Sequence, residues 1–261
     1  MLDNLDIIKL NRNFKKNGFV KIKGFLPIKK INSINNDIKT VTKLLINRKK
    51  KYTHLHFTSD GKVNTLHNIN KLRVNSYLKK LATSKKIQNL VKSTLVSKSI
   101  KVRNIEFFLK PKKTGLASPV HQDNFYWNIV DPSKAINMWI ACDKSNKSNG
   151  GVFYYPTSHK EGLLPHIISK QKGSSQMISK KKLNQIKIKK KYINLKRGDC
   201  VIHHPEVIHG SNANLSNNNR SGVVLSFKSK DALINKLNIK RYKFRVKKNL
   251  QSLKKKGLTD K

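Results

Sequence analysis

In the first third of the chain, apolar residues recur every three or four positions. Ile31, Ile34, Ile38, Val41 and Leu45 mark one face of a helix, and Ile87, Leu90, Val91 and Leu95 repeat the signature. Between these segments, Asp60-Gly61 and neighbouring polar residues predict turns and a loop. Ahead of both, the alternation through Gly18-Phe19-Val20-Lys21-Ile22-Lys23-Gly24-Phe25 predicts a short strand with one buried face. From about residue 100 the period shortens to two. Ile105, Phe107 and Leu109 alternate with Glu106, Phe108 and Lys110, and Ile136, Met138, Ile140 and Cys142 with Asn137, Trp139, Ala141 and Asp143. Val152 to Tyr155, Cys200 to His203 and Val223 to Phe227 are further short apolar runs. Short strands separated by turn signals predict a sandwich, jelly roll or barrel. The stretch from Ser169 to Lys196 is polar and weakly periodic and is expected to form a long loop. The tail after Asp231 is basic and is expected to be a terminal helix or frayed. No internal repeat is present.

This pattern is expected to form one domain over residues 1–261: a helix-rich N-terminal third (residues 1–99), a β core of about 100–230 and a basic tail 231–261. Hydrophobic residues make up 37%, yet ten Phe and seven Tyr suffice for an interior. Cys142 and Cys200 sit in apolar runs and are expected to be small buried hydrophobes, since a single pair cannot define a disulfide framework. That usage suggests a cytoplasmic location. The start, Met1-Leu2-Asp3-Asn4-Leu5-Asp6, carries acids where a secretory signal carries bases. No apolar run approaches the roughly 20 residues of a membrane span.

Charge changes the picture most. Lys and Arg number 57 against 13 Asp and Glu, a formal +44. Such a surface attracts nucleic acid, anionic lipid or acidic glycans. Against a dedicated polyanion site, the basic runs are short and scattered (Arg48 to Lys51, Lys180 to Lys182, Lys189 to Lys191, Lys254 to Lys256), and Asn and Ile are abundant too, as in an AT-rich coding sequence. No nucleic-acid recognition motif accompanies them, so nucleic acid is possible but not the favoured partner.

The candidate chemistry is His121-Gln122-Asp123, then His209, then Arg220. Non-haem iron(II) oxygenases hold their metal with two His and one carboxylate on one face, leaving positions for co-substrate and oxygen. His121 and Asp123, two apart, can grip one metal, and His209 follows His121 by 88 residues as the third ligand. His203 and His204, ahead of Pro205, are rival third ligands. The cysteines have no zinc-ligand spacing. Asn212, Asn214 and Asn217 to Asn219 favour a turn that returns Arg220 toward the metal at the head of a strand. A permanently charged fork there suits the distal carboxylate of a 2-oxo diacid. An H-x-D pair alone is a weak signal; the ordered set is more specific.

Several strings fall in the order seen in one family. They are Asn13 to Val20, Leu109-Lys110-Pro111, His121-Gln122-Asp123-Asn124-Phe125-Tyr126-Trp127, Met138-Trp139-Ile140-Ala141 and Asn149-Gly150-Gly151. Further on stand Pro156-Thr157-Ser158-His159-Lys160, Gly162-Leu163-Leu164-Pro165-His166, Gly198-Asp199 and His204 to Ser211. From Phe14 to Phe227 the chain resembles the phytanoyl-CoA dioxygenase family. The resemblance implies a mainly β fold with flanking α-helices, a double-stranded β-helix of the jelly-roll, cupin-like kind. It also implies an iron(II)- and 2-oxoglutarate-dependent dioxygenase that uses O2 to hydroxylate an unactivated carbon of a small-molecule or acyl-type substrate, with release of succinate and CO2. His121, Asp123 and His209 would be the catalytic metal ligands and Arg220 the 2-oxoglutarate anchor; Gln122, Trp139, Ser211 and Lys62 would lie near the co-substrate. Gly222 departs from the pattern, because many relatives place a hydroxyl there. Tyr126 and Trp127 line the pocket or fill the core, while His159 and His166 shape the entrance or serve the structure. The alternatives are a catalytically inactive barrel, or an oxygenase that docks nucleic acid or anionic glycan through its basic surface. Halogenation would need the carboxylate ligand replaced, and Asp123 is present.

Overall fold

The computed structural model describes residues 4–47, 54–171 and 174–255. In chain order the elements begin with α1 (Asn4–Asn17), β1 (Phe19–Ile22), α2 (Ile28–Ile46), β2 (Leu55–Phe57) and β3 (Val63–Leu66). Next come α3 (Tyr77–Ala82), α4 (Lys85–Leu95), β4 (Ile100–Lys110), β5 (Ser118–His121), α5 (Asn124–Trp127), β6 (Ala135–Ala141) and β7 (Val152–Tyr154). The chain continues through β8 (His166–Gln171), β9 (Ser174–Ile178), α6 (Lys180–Asn184), β10 (Lys191–Tyr192), β11 (Cys200–His203), β12 (His209–Ser211), β13 (Arg220–Ser229) and α7 (Lys236–Lys255). Helix is as prominent as strand, so the expected mainly β chain is instead a mixed α/β fold with a double-stranded β-helix-like sheet topology.

Seven strands form the larger sheet in the order β1-β11-β6-β13-β4-β3-β2, and four form the smaller, β10-β7-β12-β5. All the strand pairings in both are antiparallel. The alternation along β6 and β13 gives the larger sheet two different faces. Ile136, Met138, Ile140, Val223, Leu225 and Phe227 join the helices in one cluster with the five buried residues of α2 (Ile31, Ile34, Ile38, Val41 and Leu45). Each such side chain contributes roughly 1.5–3 kcal/mol by leaving water. On the other face Trp139, Ala141, Val201 and Val224 pack with Val152 and Tyr154 of the smaller sheet. Because both faces are covered, every residue of β6 is buried.

Cys142 and Cys200 are free and buried on the helix side, as their apolar runs suggest. Three local expectations change. The segment between α2 and α4 contains β2, β3 and α3 rather than a loop alone. The stretch from Ser169 to Lys196, read as a long loop, contributes most of the β8–β9 hairpin, α6 and β10; its polarity reflects a surface ribbon with few buried positions. The basic tail is the helix α7, seated on β8 and β9 and against α5, with Asn249 Oδ1 accepting from the Lys170 amide at 3.0 Å. Among the described residues no helix is long and apolar enough to cross a membrane. The basic run Arg48 to Lys51 lies outside the described residues.

Candidate metal and co-substrate site

β5 ends at His121 and runs directly into the turn of α5, so Asp123 sits at the helix start, not on a strand. Across the sheet His121 pairs with His209 of β12. One ligand atom from each of His121, Asp123 and His209 lies within 4.8 Å of the others. His121 Nδ1 faces the Pro119 carbonyl at 2.7 Å and His209 Nδ1 the Val207 carbonyl at 3.0 Å. Each Nδ1 therefore carries the proton, which leaves both Nε2 lone pairs for a metal. Those nitrogens lie 3.5 and 3.7 Å from the Asp123 carboxylate.

Asp123 is itself held from behind. Asn137 donates to its Oδ2 at 2.6 Å, and His203 Nε2 approaches the same oxygen at 3.0 Å. Ser226 in turn donates to the Asn137 side-chain oxygen Oδ1, and the Tyr154 hydroxyl meets His203 Nδ1 at 3.1 Å. Burial alone would raise the Asp123 carboxyl, but His209, His121 and His203 pull it well below the usual range. Burial holds His209 down near 3. His121 is also disfavoured by burial, yet the adjacent Asp123 raises it above its ordinary value. A carboxylate kept ionised beside two imidazoles with free Nε2 atoms is a donor set that fits a divalent first-row metal. Of the rival ligands, His203 contacts Asp123 from outside the triad, and His204 packs against His159 with ring centres 5.2 Å apart.

A second constellation stands beside the triad. Arg220, at the head of β13, is 1% exposed, and its Nε donates to the Gly150 carbonyl at 3.1 Å. The turn that delivers it is built as the asparagines suggested: Asn214 is buried and donates to the carbonyls of Lys110 and Asn218. Arg220 lies opposite Lys110 in the β13–β4 register and 5.3 Å from the Trp139 ring centre. Lys110 is 2% exposed, donates to Ser211 Oγ at 2.7 Å, and also reaches the Asn212 carbonyl. Burial, with Arg220 adding repulsion, pushes the Lys110 ammonium well below its usual value. Burial brings Arg220 to about 10. Neither cation has a carboxylate in ion-pair contact among the described residues, and two like charges buried together favour an anion between them.

The structure thus brings His121, Asp123 and His209 together, and beside them Arg220, Trp139 and Ser211. It does not bring Lys62, the expected second cation. That side chain is 54% exposed and paired with Asp60 at 2.6 Å, because the Asp60-Gly61 turn directs it to the surface. The cation buried beside Arg220 is Lys110; its position on the same parity as Phe108 and Glu106 was the signal that could have found it. Gln122 is fully buried, and its side-chain amide is committed to the Gly162 and Glu206 carbonyls and the Leu164 amide, so it braces the turn that follows β5. Gly222 has a physical reason: a Cβ there would stand 2.3 Å from the Trp139 ring, so the indole occupies the space a hydroxyl side chain would need. Tyr126 packs edge-on to His121, with ring centres 5.6 Å apart, and Trp127 lies in a small cluster with Ile129 and Ala135. His166 accepts from the Gln122 amide at 3.0 Å, and His159 reaches the Lys15 carbonyl, both bracing contacts.

A β-helix-like pair of sheets that presents two histidines and an aspartate from their interior defines the class of non-haem metal proteins to which this geometry corresponds. The family profile described as phytanoyl-CoA dioxygenase (PhyH) matches residues 14–222, and the chain belongs to that family. It is similar to phytanoyl-CoA dioxygenase domain-containing protein 1 of Danio rerio, 26% identical over 147 residues, covering 54% of this chain and 49% of that protein. It is also similar to the peroxisomal phytanoyl-CoA dioxygenase of Homo sapiens, 22% identical over 243 residues, 88% of this chain and 70% of that protein. The chain therefore spans about half the length of the fish protein. In fold it is similar to EctD from S. alaskensis, solved with 2-oxoglutarate and 5-hydroxyectoine, with a TM-score of 0.71 at 13% identity over 87% of this chain and 77% of that one. The expected cytoplasmic location does not stand, because the human relative is named as peroxisomal and two buried cysteines say nothing that distinguishes reducing compartments.

Proposed function

We propose that this chain is an iron(II)- and 2-oxoglutarate-dependent dioxygenase that hydroxylates an unactivated carbon of a small molecule, with succinate and carbon dioxide as by-products. One observation carries the reading: strand β12 links a two-histidine, one-carboxylate triad to a buried Lys110–Arg220 pair. His209 and Ser211 lie two residues apart on β12, and Ser211 holds Lys110. Two residues of strand span about 7 Å, a distance suited to a five-carbon diacid whose ends meet the metal and the cations. His121, Asp123 and His209 would hold iron(II), while Arg220, Lys110 and Ser211 would hold the distal carboxylate. Iron(II) with bound 2-oxoglutarate and O2 supplies an oxidant strong enough to break an unactivated C–H bond. The chain's own residues position and protect. Asn137 and His203 fix the Asp123 carboxylate, the Pro119 and Val207 carbonyls fix the imidazoles, and the Trp139 ring packs against the Arg220 guanidinium.

Anaerobic titration with iron(II) and 2-oxoglutarate tests this through the weak visible metal-to-ligand absorption. The wild type is expected to give the band, and His209→Ala to lose it. A folded wild type that gives no band at saturating iron overturns the reading.

A further inference from the structure

The inner face of β4 continues past Lys110 and Phe108 to Glu106, Asn104 and Arg103, none of which the metal or co-substrate site uses. Glu106 lies opposite Val224, and the register shifts just beyond, between Ser226 and Phe227. Such a bulge re-aims a side chain. Here it leaves Arg103 without a Cα partner on β13 and stacks its guanidinium 4.5 Å over the Trp127 ring, one helical turn from Asp123. Glu106 Oε1 meets His67 Nδ1 at 3.1 Å, and the His67 ring stands edge-on to Phe108. Tyr126 and Tyr242 follow, edge to face at 5.6 Å, the second contributed by α7. Glu106 lies within electrostatic reach of Asp123 and His121, and Arg103 of Asp123 and Tyr242.

Three features mark this wall as more than packing. Glu106 and His67 keep 18% and 16% of their side chains accessible, close to the 14% of His121 and Asp123, so all four border open space. Arg103 and Glu106, both half-buried, attract one another electrostatically but make no direct ion pair among the described residues. Glu106 Oε2 has no hydrogen-bond partner among the described residues, and most donors of Arg103 are likewise unused. Both groups stay partly accessible, so a ligand carrying both charges would meet them directly. A bare hydrocarbon chain lying there would strand both.

Resting on the oxygenase reading, we propose that the substrate presented to the metal is a small zwitterion, with its ammonium on Glu106 and its carboxylate or phosphate on Arg103, beneath Tyr126 and Tyr242. The β4 bulge re-aims Arg103 relative to Glu106, and α7 contributes Tyr242 against Tyr126.

Saturation-transfer NMR on the full chain tests this without turnover. The probes are glycine betaine, β-alanine and γ-aminobutyrate, with butylamine and butanoate as half-ligands and octanoate as the alkyl competitor. At least one zwitterion is expected to bind about tenfold or more tightly than either half-ligand. Glu106→Gln is expected to abolish that advantage while butanoate binding persists, and Arg103→Met to abolish it while butylamine binding persists. Circular dichroism establishes that each variant is folded, and the wild-type panel decides the matter alone if one is not. Octanoate binding as tightly as every zwitterion, no zwitterion binding at all, or undiminished discrimination in folded Glu106→Gln overturns the proposal. The iron(II)–2-oxoglutarate band of the same samples separates the two readings. A band without zwitterion binding sinks the substrate class alone; zwitterion binding without a band sinks the oxygenase.

Discussion

The two faces of the seven-stranded sheet are made by the same strands and serve opposite ends. Toward the helices, β13 presents Val223, Leu225 and Phe227, all fully buried among aliphatic side chains. Toward the smaller sheet, the same strand presents Arg220, Gly222, Val224 and Ser226, neighbours of a buried lysine, an indole and the asparagine that braces Asp123. One face gains stability by removing carbon from water; the other gives some up to keep charges enclosed and aimed. Stability and binding should therefore separate by face, although the residues alternate along one chain.

The largest expected stability effect lies on the helix side. Leu225→Ala should destabilise the protein by about 2–5 kcal/mol in denaturant unfolding, through lost burial and the cavity left behind. Its iron(II)–2-oxoglutarate affinity should stay near wild type while it is folded; a large loss of affinity would break the division between faces. Arg220→Met is the opposite case. Removing one partner of an enclosed charge contact should weaken 2-oxoglutarate binding about a hundredfold by titration of the visible band, with unfolding stability unchanged or raised. Gly222→Ala sharpens the comparison, because this inner position is decided by shape. Its Cβ would stand 2.3 Å from the Trp139 ring, and overpacking should cost about 1–3 kcal/mol.

The smallest effect is a slope with pH. Burial and Arg220 hold Lys110 well below the ordinary lysine value of 10.5. Between its folded value and 10.5, the unfolded lysine binds a proton that the folded one does not. Stability of the ligand-free protein should therefore rise with pH across that window. The difference in unfolding free energy between wild type and Lys110→Met, followed against pH, should show that rise, and saturating 2-oxoglutarate should flatten it by favouring the charged ammonium. A difference that falls with pH would show that Lys110 is not a strained buried cation.

How much of this was legible varies residue by residue. The 3.6-residue period of Ile31 to Leu45 and the two-residue period of Ile136 to Cys142 announced their elements, because each repeats one local geometry many times. The spacing of His121, Asp123, His209 and Arg220 announced the chemistry, since few other roles demand those types in that order. The β8–β9 hairpin and α7 were harder, because lysines on a surface ribbon and a surface helix leave little periodic signal.

What the sequence by itself determined is therefore the family, the histidines and aspartate that the fold brings together, and the alternation that separates two faces. What only the tertiary structure decided is which cation stands beside Arg220, where Gln122 points, and that Arg103 and Glu106 come within electrostatic reach of Asp123. Lys62 and Lys110 are the same residue type and differ only in where the chain around them turns. A turn at Asp60-Gly61 sends one to water, while seven consecutive register pairs with β13 place the other opposite Arg220. Register between strands 110 residues apart is set by packing across the whole sheet, and no local stretch of sequence encodes it.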